Sequence, residues 1–181
     1  TLASSERDAS IGIVIGDAGC GKSCCLEQYS LANRTAIYIE LDKSMTTTKI
    51  FSAIAKQIKV DFDGSLASVT ERIINKLTGR QTILILDEAS SLSVSILDTL
   101  RQIIVVKCHC PLILAANSAL LKTISQDSTR RGCESLDQFN SRVIMVANLD
   151  LMAADPDGGL YSIEEIRKMY EYGGIKLSAD G

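Results

Sequence analysis

The sequence predicts an α/β domain in which a five-stranded parallel sheet lies between helices. Two observations support this prediction. Short apolar runs of strand length alternate along the chain with longer segments in which apolar residues recur at helical spacing. The first apolar run also leads into a glycine-rich loop that opens a helix, and a later run ends in two carboxylates. Such alternation is typical of a parallel sheet covered on both faces.

The elements follow from the apolar pattern in chain order. Strands are predicted at residues 11–15, 36–41, 82–86, 112–116 and 143–146. Helices are predicted at residues 22–32, 47–58, 66–77 and 93–105, and a last helix begins at Ser162 with the pattern of a capping box. In the second helix, for example, Ile50, Ile54 and Ile58 share one face.

The loop after the first strand reads Gly-Asp-Ala-Gly-Cys-Gly-Lys-Ser, the P-loop pattern in its strand–loop–helix context. Its glycines permit backbone angles and close approaches that a Cβ would obstruct. Loop N–H groups and the positive end of the next helix can therefore surround a phosphate chain. Lys22 is expected to contact the β- and γ-phosphates of ATP, and Ser23 to offer a hydroxyl to Mg²⁺. The predicted nucleotide-binding residues are Gly16, Asp17, Ala18, Gly19, Cys20, Gly21, Lys22, Ser23 and Cys24.

Two acidic residues follow the apolar run at 82–86, where a P-loop protein needs a carboxylate. Asp87 is predicted to hold Mg²⁺ through water. Glu88 is predicted to orient and polarise the attacking water. The alternative is a helix-cap role for the pair, because Ala89, Ser90 and Ser91 follow.

Two further polar residues are candidates for catalysis. Asn117 follows the fourth strand, where its side chain could sense the γ-phosphate, or it could simply cap the next helix. Arg142 precedes the fifth strand, where in a ring-forming ATPase an arginine can reach a neighbouring subunit's nucleotide. Arg130 and Arg131 compete with Arg142 for that role, and an ordinary surface arginine is the remaining interpretation.

Composition favours one domain in a reducing compartment. The chain has 181 residues, a net charge of −3 and six cysteines without a CxxC pair. No run is long enough to span a bilayer, so we expect a cytoplasmic protein without a membrane partner. Cys108, His109 and Cys110 cannot all face one ion from an extended segment, so packing is favoured over metal binding.

The order of the motifs GDAGCGKS, TILILDEAS, LILAANS and FNSRV resembles an AAA+ ATPase. More narrowly, the chain resembles the MuB and TnsC-like transposition ATPases over roughly residues 10–175. The resemblance implies that Asp87 and Glu88 are the Walker B pair, that Asn117 is sensor 1 and that Arg142 lies in the finger region. It divides the chain into an AAA+ core at 1–150 and, at 151–181, a linker with the start of a largely missing helical lid.

The same resemblance implies a function. Such proteins bind and slowly hydrolyse ATP, assemble as a ring or helical filament on duplex DNA without sequence preference, and recruit or activate a transposase at the target. It places DNA at the loop after the second strand, where Lys43, Thr47, Thr48 and Lys49 could contact phosphates. A capped helix start with solvated lysines is the alternative for that loop. For the protein, the alternative is a signalling or secretion-linked (ExeA-type) NTPase that acts through protein partners.

Overall fold

The computed structural model describes residues 9–127 and 134–153. Its five strands are β1 (Ile11–Ile15), β2 (Ala36–Glu40), β3 (Ile83–Asp87), β4 (Leu112–Ala116) and β5 (Val143–Asn148). They form one sheet in the order β2-β3-β4-β1-β5, and every pair of neighbouring strands is parallel. The predicted five-stranded parallel sheet is therefore confirmed.

Seven α-helices occur in the described residues: α1 (Lys22–Ala32), α2 (Thr47–Gln57), α3 (Leu66–Leu77), α4 (Val94–Leu100), α5 (Ser118–Asp127), α6 (Glu134–Asn140) and α7 (Leu149–Ala153). Local chemistry fixes several of their starts. The side chains of Thr46, Ser65 and Ser93 each accept a hydrogen bond from a backbone N–H of the first turn. Each such cap stabilises its helix by about 1 kcal/mol.

The predicted helix at 93–105 is present, but its second half is a π-helix and not an α-helix. It starts as α4 and continues as a π-helical segment over Arg101–Lys107. At the end of this segment, the Cys108 N–H donates to the Ile103 carbonyl five residues back. The buried Arg101 guanidinium donates to the Asp98 carboxylate and to Gln138 of α6. Apolar spacing over so short a run does not distinguish an α-turn from a π-turn.

The two faces of the sheet are covered unequally. Ile11, Ile13 and Ile15 on one face of β1 are at most 1% exposed and join the main core. On α1, by contrast, no residue is buried. Strand β5 ends the sheet and exposes Ile144 and Met145, so the described helices leave part of this edge strand uncovered.

Several predictions lie outside the described residues. The helix predicted from Ser162 falls there, and so do Arg130 and Arg131. The predicted division at residue 150 falls within α7 and stays a prediction. Among the described residues, no helix has the length and apolar character needed to cross a membrane.

Candidate functional site

The glycine loop between β1 and α1 has the backbone that a phosphate cradle requires. Gly19 and Gly21 adopt φ values of 86° and 87°, in the region that side chains rarely enter. A Cβ on Gly16 would lie 2.7 Å from the Cys20 sulfur and 3.2 Å from the Leu149 Cβ. All three glycines are therefore needed for this loop shape.

Lys22 lies over the loop from the first turn of α1. Its Nζ donates to the carbonyl oxygens of Gly16 and Asp17 at 2.7 and 2.8 Å. It also lies 3.5 Å from the Cys20 sulfur. The ammonium group is thus held within the loop, which is the position from which it can meet a phosphate chain. The neighbouring Ser23 and Cys24 are exposed on the same turn.

Hydrogen bonds join the carboxyl ends of the central strands. The Gly16 N–H donates to the Ala116 carbonyl, which links the P-loop to the end of β4. The next residue, Asn117, donates its backbone N–H to the Ser90 hydroxyl at 2.9 Å. Ser90 lies just after the two acids at the end of β3. The structure thus brings the loop, Asn117 and the acidic pair to one edge of the sheet.

Asn117 has the capping role that the sequence offered as an alternative. Its side-chain oxygen accepts a hydrogen bond from the Ala119 N–H at the start of α5. Its amide nitrogen makes no hydrogen bond with another described residue, and the side chain is exposed. The cap fixes the side chain and leaves its amide N–H donors for a phosphate or a water, so the sensor role is compatible with the cap and stays a prediction.

Asp87 is the buried acid of the site, with 1% of its surface exposed. One oxygen accepts a hydrogen bond from the Tyr38 hydroxyl and the other from the Glu88 N–H, both at 2.8 Å. Tyr38, on the neighbouring strand β2, was missed at the sequence level. Its own burial, and then the hydrogen bond to Asp87, raise its pKa far above the usual value.

Glu88 leaves the strand in a left-handed backbone conformation, with φ 55°. That conformation is uncommon for a residue with a side chain and costs about 1 kcal/mol or more. It turns the chain into a 3₁₀ turn at Ala89–Ser91. The exposed carboxylate thereby reaches a cleft that it shares with Glu40, Asp42 and Lys43. Such strain at a site is typical of a functional residue.

The residues present fit Mg²⁺ and a nucleotide. A carboxylate on a buried strand end and a hydroxyl on the first helical turn are the oxygen ligands that Mg²⁺ prefers. Ser23 and Asp87 supply this donor set. The loop offers a cradle that a Cβ at Gly16 would fill. Direct Ser23 coordination and water-mediated Asp87 coordination remain predictions.

A second contact that sequence reasoning missed comes from α7. The Asp150 carboxylate accepts a hydrogen bond from the Asp17 N–H of the P-loop at 2.8 Å. The Asn148 side chain caps α7 by accepting from the N–H groups of Asp150 and Leu151. An asparagine at the end of a strand is the one sequence signal that could have indicated this short helix.

Arg142 lies at the opposite end of the sheet from the P-loop. Its carbonyl accepts a hydrogen bond from the Ile11 N–H, where β1 begins, whereas the P-loop follows Ile15. A five-residue strand spans about 17 Å. Arg142 is thus placed away from its own nucleotide site, which is compatible with action on a neighbouring subunit. That role stays a prediction.

The loop predicted to contact DNA is a capped helix start. The Thr46 hydroxyl accepts from the Lys49 N–H, and the Asp42 carboxylate accepts from the Ser44 N–H. This second hydrogen bond lowers the pKa of Asp42. Lys43, Thr48 and Lys49 are exposed, and Thr47 is half-buried. Lys43 lines the same cleft as Glu88, and contact of this loop with DNA stays a prediction.

Cys108 and Cys110 are both 1% exposed, whereas His109 between them is exposed. Burial raises the pKa of Cys108 to about 12 and that of Cys110 to about 11. The Cys110 thiol donates to the Thr82 carbonyl. Both cysteines therefore act as packed core residues.

The parallel sheet, the glycine loop and the acids at its carboxyl edge define a P-loop nucleoside triphosphatase fold of the AAA+ type. The AAA domain family matches residues 5–124, and the chain belongs to that family. Members of this family are generally ATPases. None of the curated proteins matches the chain.

Solved structures share the fold. The ORC2 protein of Aeropyrum pernix, solved as ADPNP–ADP complexes, has a TM-score of 0.57 and 16% identity. It is matched over 91% of this chain and 45% of its own length. Drosophila ORC bound to GC-rich DNA and Cdc6 has a TM-score of 0.51 and 11% identity over 96% of this chain and 60% of the other. The chain thus spans about half the length of these structures, and the likeness concerns the fold alone.

Proposed function

We propose that this protein binds ATP with Mg²⁺ and hydrolyses it slowly, as an ATPase stimulated by assembly or by a partner. The observation that supports this most is the loop held by Lys22 on the same sheet edge as Asp87 and Glu88. The loop N–H groups and the Lys22 ammonium would bind the phosphates and stabilise the charge that develops on them.

Each remaining residue has a distinct role in the proposal. Bound Mg²⁺ would neutralise phosphate charge, held by the Ser23 hydroxyl and, through water, by the Asp87 carboxylate. The Glu88 carboxylate would accept a proton from the attacking water and orient it. The Asn117 amide nitrogen would donate a hydrogen bond to the γ-phosphate or to that water.

The proposal includes self-assembly into a ring or a helical filament. Its support is the position of Arg142 at the amino edge of the sheet, away from the P-loop of its own chain. An arginine finger supplied by a neighbouring subunit stabilises transition-state charge on the phosphates. Assembly would then be a condition for rapid turnover.

In its full form, the proposed function is that of a transposition helper. The ATP-loaded assembly would bind duplex DNA without sequence preference and recruit or activate a transposase there. The support is the MuB-like order of motifs along the chain, together with the AAA+ fold shared with DNA-bound ORC. The ORC likeness supports the DNA-associated class and carries no information on transposition.

The experiment measures phosphate release and sedimentation of the full chain with ATP, in the presence and absence of duplex DNA. We expect DNA to raise turnover at least severalfold and to produce fast-sedimenting assemblies only with ATP. Addition of a transposase should then increase strand transfer into the coated DNA. ATP hydrolysis without any effect of DNA would contradict the DNA-associated function and leave the ATPase assignment standing.

The second candidate is an NTPase switch that acts through protein partners. One observation favours it: strand β5 and helix α7 expose Ile144, Met145, Val146, Leu151 and Met152. An apolar surface of this kind is typical of protein contacts. Nucleotide-dependent retention of a protein partner, combined with indifference to DNA in the same assays, would select this candidate.

A further inference from the structure

A cationic cleft of about 300 Å³ lies at the amino ends of β2 and β3, opposite the edge that carries the P-loop. We call it the basic cleft, and define it by Arg34, Lys59, Lys76 and Arg80. Apolar side chains form the rest of its wall, namely Ile37, Ile58 and Leu77, together with polar Thr35, Gln57 and Thr82. Among the residues that the structure describes, no carboxylate lines it.

The four cations of the basic cleft come from separate parts of the chain. Arg34 follows α1, and Lys59 follows α2. Lys76 lies in the last turn of α3, and Arg80 lies between α3 and β3. Lys59 reaches its place through a left-handed backbone, with φ 56°. Four like charges are therefore gathered by the tertiary fold on a chain whose net charge is −3.

Neighbouring groups in the described residues neutralise these charges only in part. Within residues 9–127 and 134–153 the one ion pair joins Arg101 to Asp98, and the cleft cations make no side-chain hydrogen bond. The negative carboxyl ends of α1, α2 and α3 also lie at the cleft. Their last turns already accept hydrogen bonds from the N–H groups of Asn33, Ile58 and Thr78. Each helix end is equivalent to about −0.5 charge, so three offset about 1.5 of the four positive charges.

The loop predicted to contact DNA has the opposite electrostatic character. Its exposed Lys43 shares a cleft of about 390 Å³ with three carboxylates, those of Glu40, Asp42 and Glu88. A phosphate approaching that loop would meet net negative charge at short range, which costs free energy. Of the two surfaces, the basic cleft is the one that attracts phosphate.

We propose that the basic cleft binds the backbone phosphates of duplex DNA. This inference rests on the proposed DNA-associated function and names the surface that would carry it. Arg34, Lys59 and Arg80 are exposed and spread over the rim, which suits an extended polyanion better than an enclosed small ligand. None of the described residues that line the cleft is aromatic, so they offer no platform for stacking unpaired bases. Contact with a duplex backbone is sequence-independent.

The test compares three double variants of the full chain that each remove two positive charges. Lys59→Gln/Arg80→Gln changes the basic cleft, Lys43→Gln/Lys49→Gln changes the loop, and Lys107→Gln/Lys122→Gln is the matched control at other exposed lysines. Anisotropy of a labelled duplex of about 30 base pairs gives the affinity with ATP over a series of salt concentrations. Urea unfolding confirms that each variant is folded.

We expect the cleft variant to bind duplex about tenfold or more weakly near 0.1 M salt, with a log–log salt slope reduced by about 1.8. The control should match the parent, and the loop variant should change less than the cleft variant. Parent-like affinity and slope in the cleft variant, or a larger loss in the loop variant, would overturn the inference while the DNA-associated function stands. A parent that binds no duplex at any salt would overturn both.

A calorimetric titration with inorganic tripolyphosphate separates the two possible sources of phosphate. Weak binding of tripolyphosphate, with a heat that falls as salt is added, supports contact with the extended backbone of DNA. One-to-one binding of tripolyphosphate that the cleft variant loses, with its duplex affinity intact, would assign the cleft to a small polyphosphate and overturn the inference.

Discussion

The Tyr38 hydroxyl donates a 2.8 Å hydrogen bond to the Asp87 carboxylate, which is 1% exposed at the end of β3. Tyr38 lies on the edge strand β2, and its register partner is Ile85, two residues before the acid. The bond therefore runs diagonally across two parallel strands. It fixes the orientation of the carboxylate that we assign to Mg²⁺.

Tyr38→Phe should weaken metal binding about tenfold, because partners that orient a metal-binding carboxylate typically contribute this much. It should also lower the free energy of unfolding by about 1–2 kcal/mol, since one oxygen of a buried acid loses its donor. Mn²⁺ titration followed by EPR, with a non-hydrolysable ATP analogue, measures the first effect, and urea unfolding measures the second. Tyr29→Phe, at an exposed tyrosine of α1, is the matched control. Unchanged Mn²⁺ affinity would leave Tyr38 with a structural role only.

Lys22→Ala should abolish measurable nucleotide binding, because it removes the one ammonium held in the described P-loop by the Gly16 and Asp17 carbonyls. The fold should survive, since Lys22 is half-exposed and forms no part of the core. Titration with a fluorescent ATP analogue measures binding, with Lys122→Ala as control. Equal affinity in the variant and the parent would contradict the P-loop assignment.

Glu88→Gln should retain ATP and Mg²⁺ but lose hydrolysis by at least about 100-fold, because an amide does not accept a proton from water as a carboxylate does. Single-turnover hydrolysis with bound ATP separates this loss from any change in affinity. ATP-dependent assemblies of the variant should persist longer than those of the parent. Turnover at the parental rate would remove Glu88 from the mechanism.

Asp150→Asn should bind ATP about threefold more tightly than the parent, because it removes a negative charge beside the phosphate loop and keeps an oxygen for the Asp17 N–H. Asp150→Ala removes both the charge and the hydrogen-bond acceptor. Its ATP affinity should rise less, because the P-loop loses the hydrogen bond that holds the Asp17 N–H. The two affinities, measured at low and high salt, separate charge from anchoring. Identical affinities in both variants would show that the anchor has no effect on binding.

The local parts of the fold were predictable from sequence, and the parts that depend on distant contacts were not. β1, α1, α3 and β4 have the predicted bounds, because their apolar spacing and the P-loop are local signals. The strand order is set by pairing between distant segments. The Asp150–Asp17 bond joins residues 133 positions apart, and the basic cleft gathers cations from four segments. Neither arrangement leaves a spacing in the sequence that could be recognised.

The left-handed backbone at Glu88 sets activity against stability at a single position. Glycine adopts that conformation without a steric penalty, so Glu88→Gly should raise the unfolding free energy by a few tenths to about 1 kcal/mol while removing the proposed base. A library of variants at position 88 that is selected only for thermal stability should therefore lose glutamate. The same library selected for ATP turnover should retain glutamate. The difference in unfolding free energy between the residues retained by the two selections would measure the stability that the domain loses by keeping Glu88.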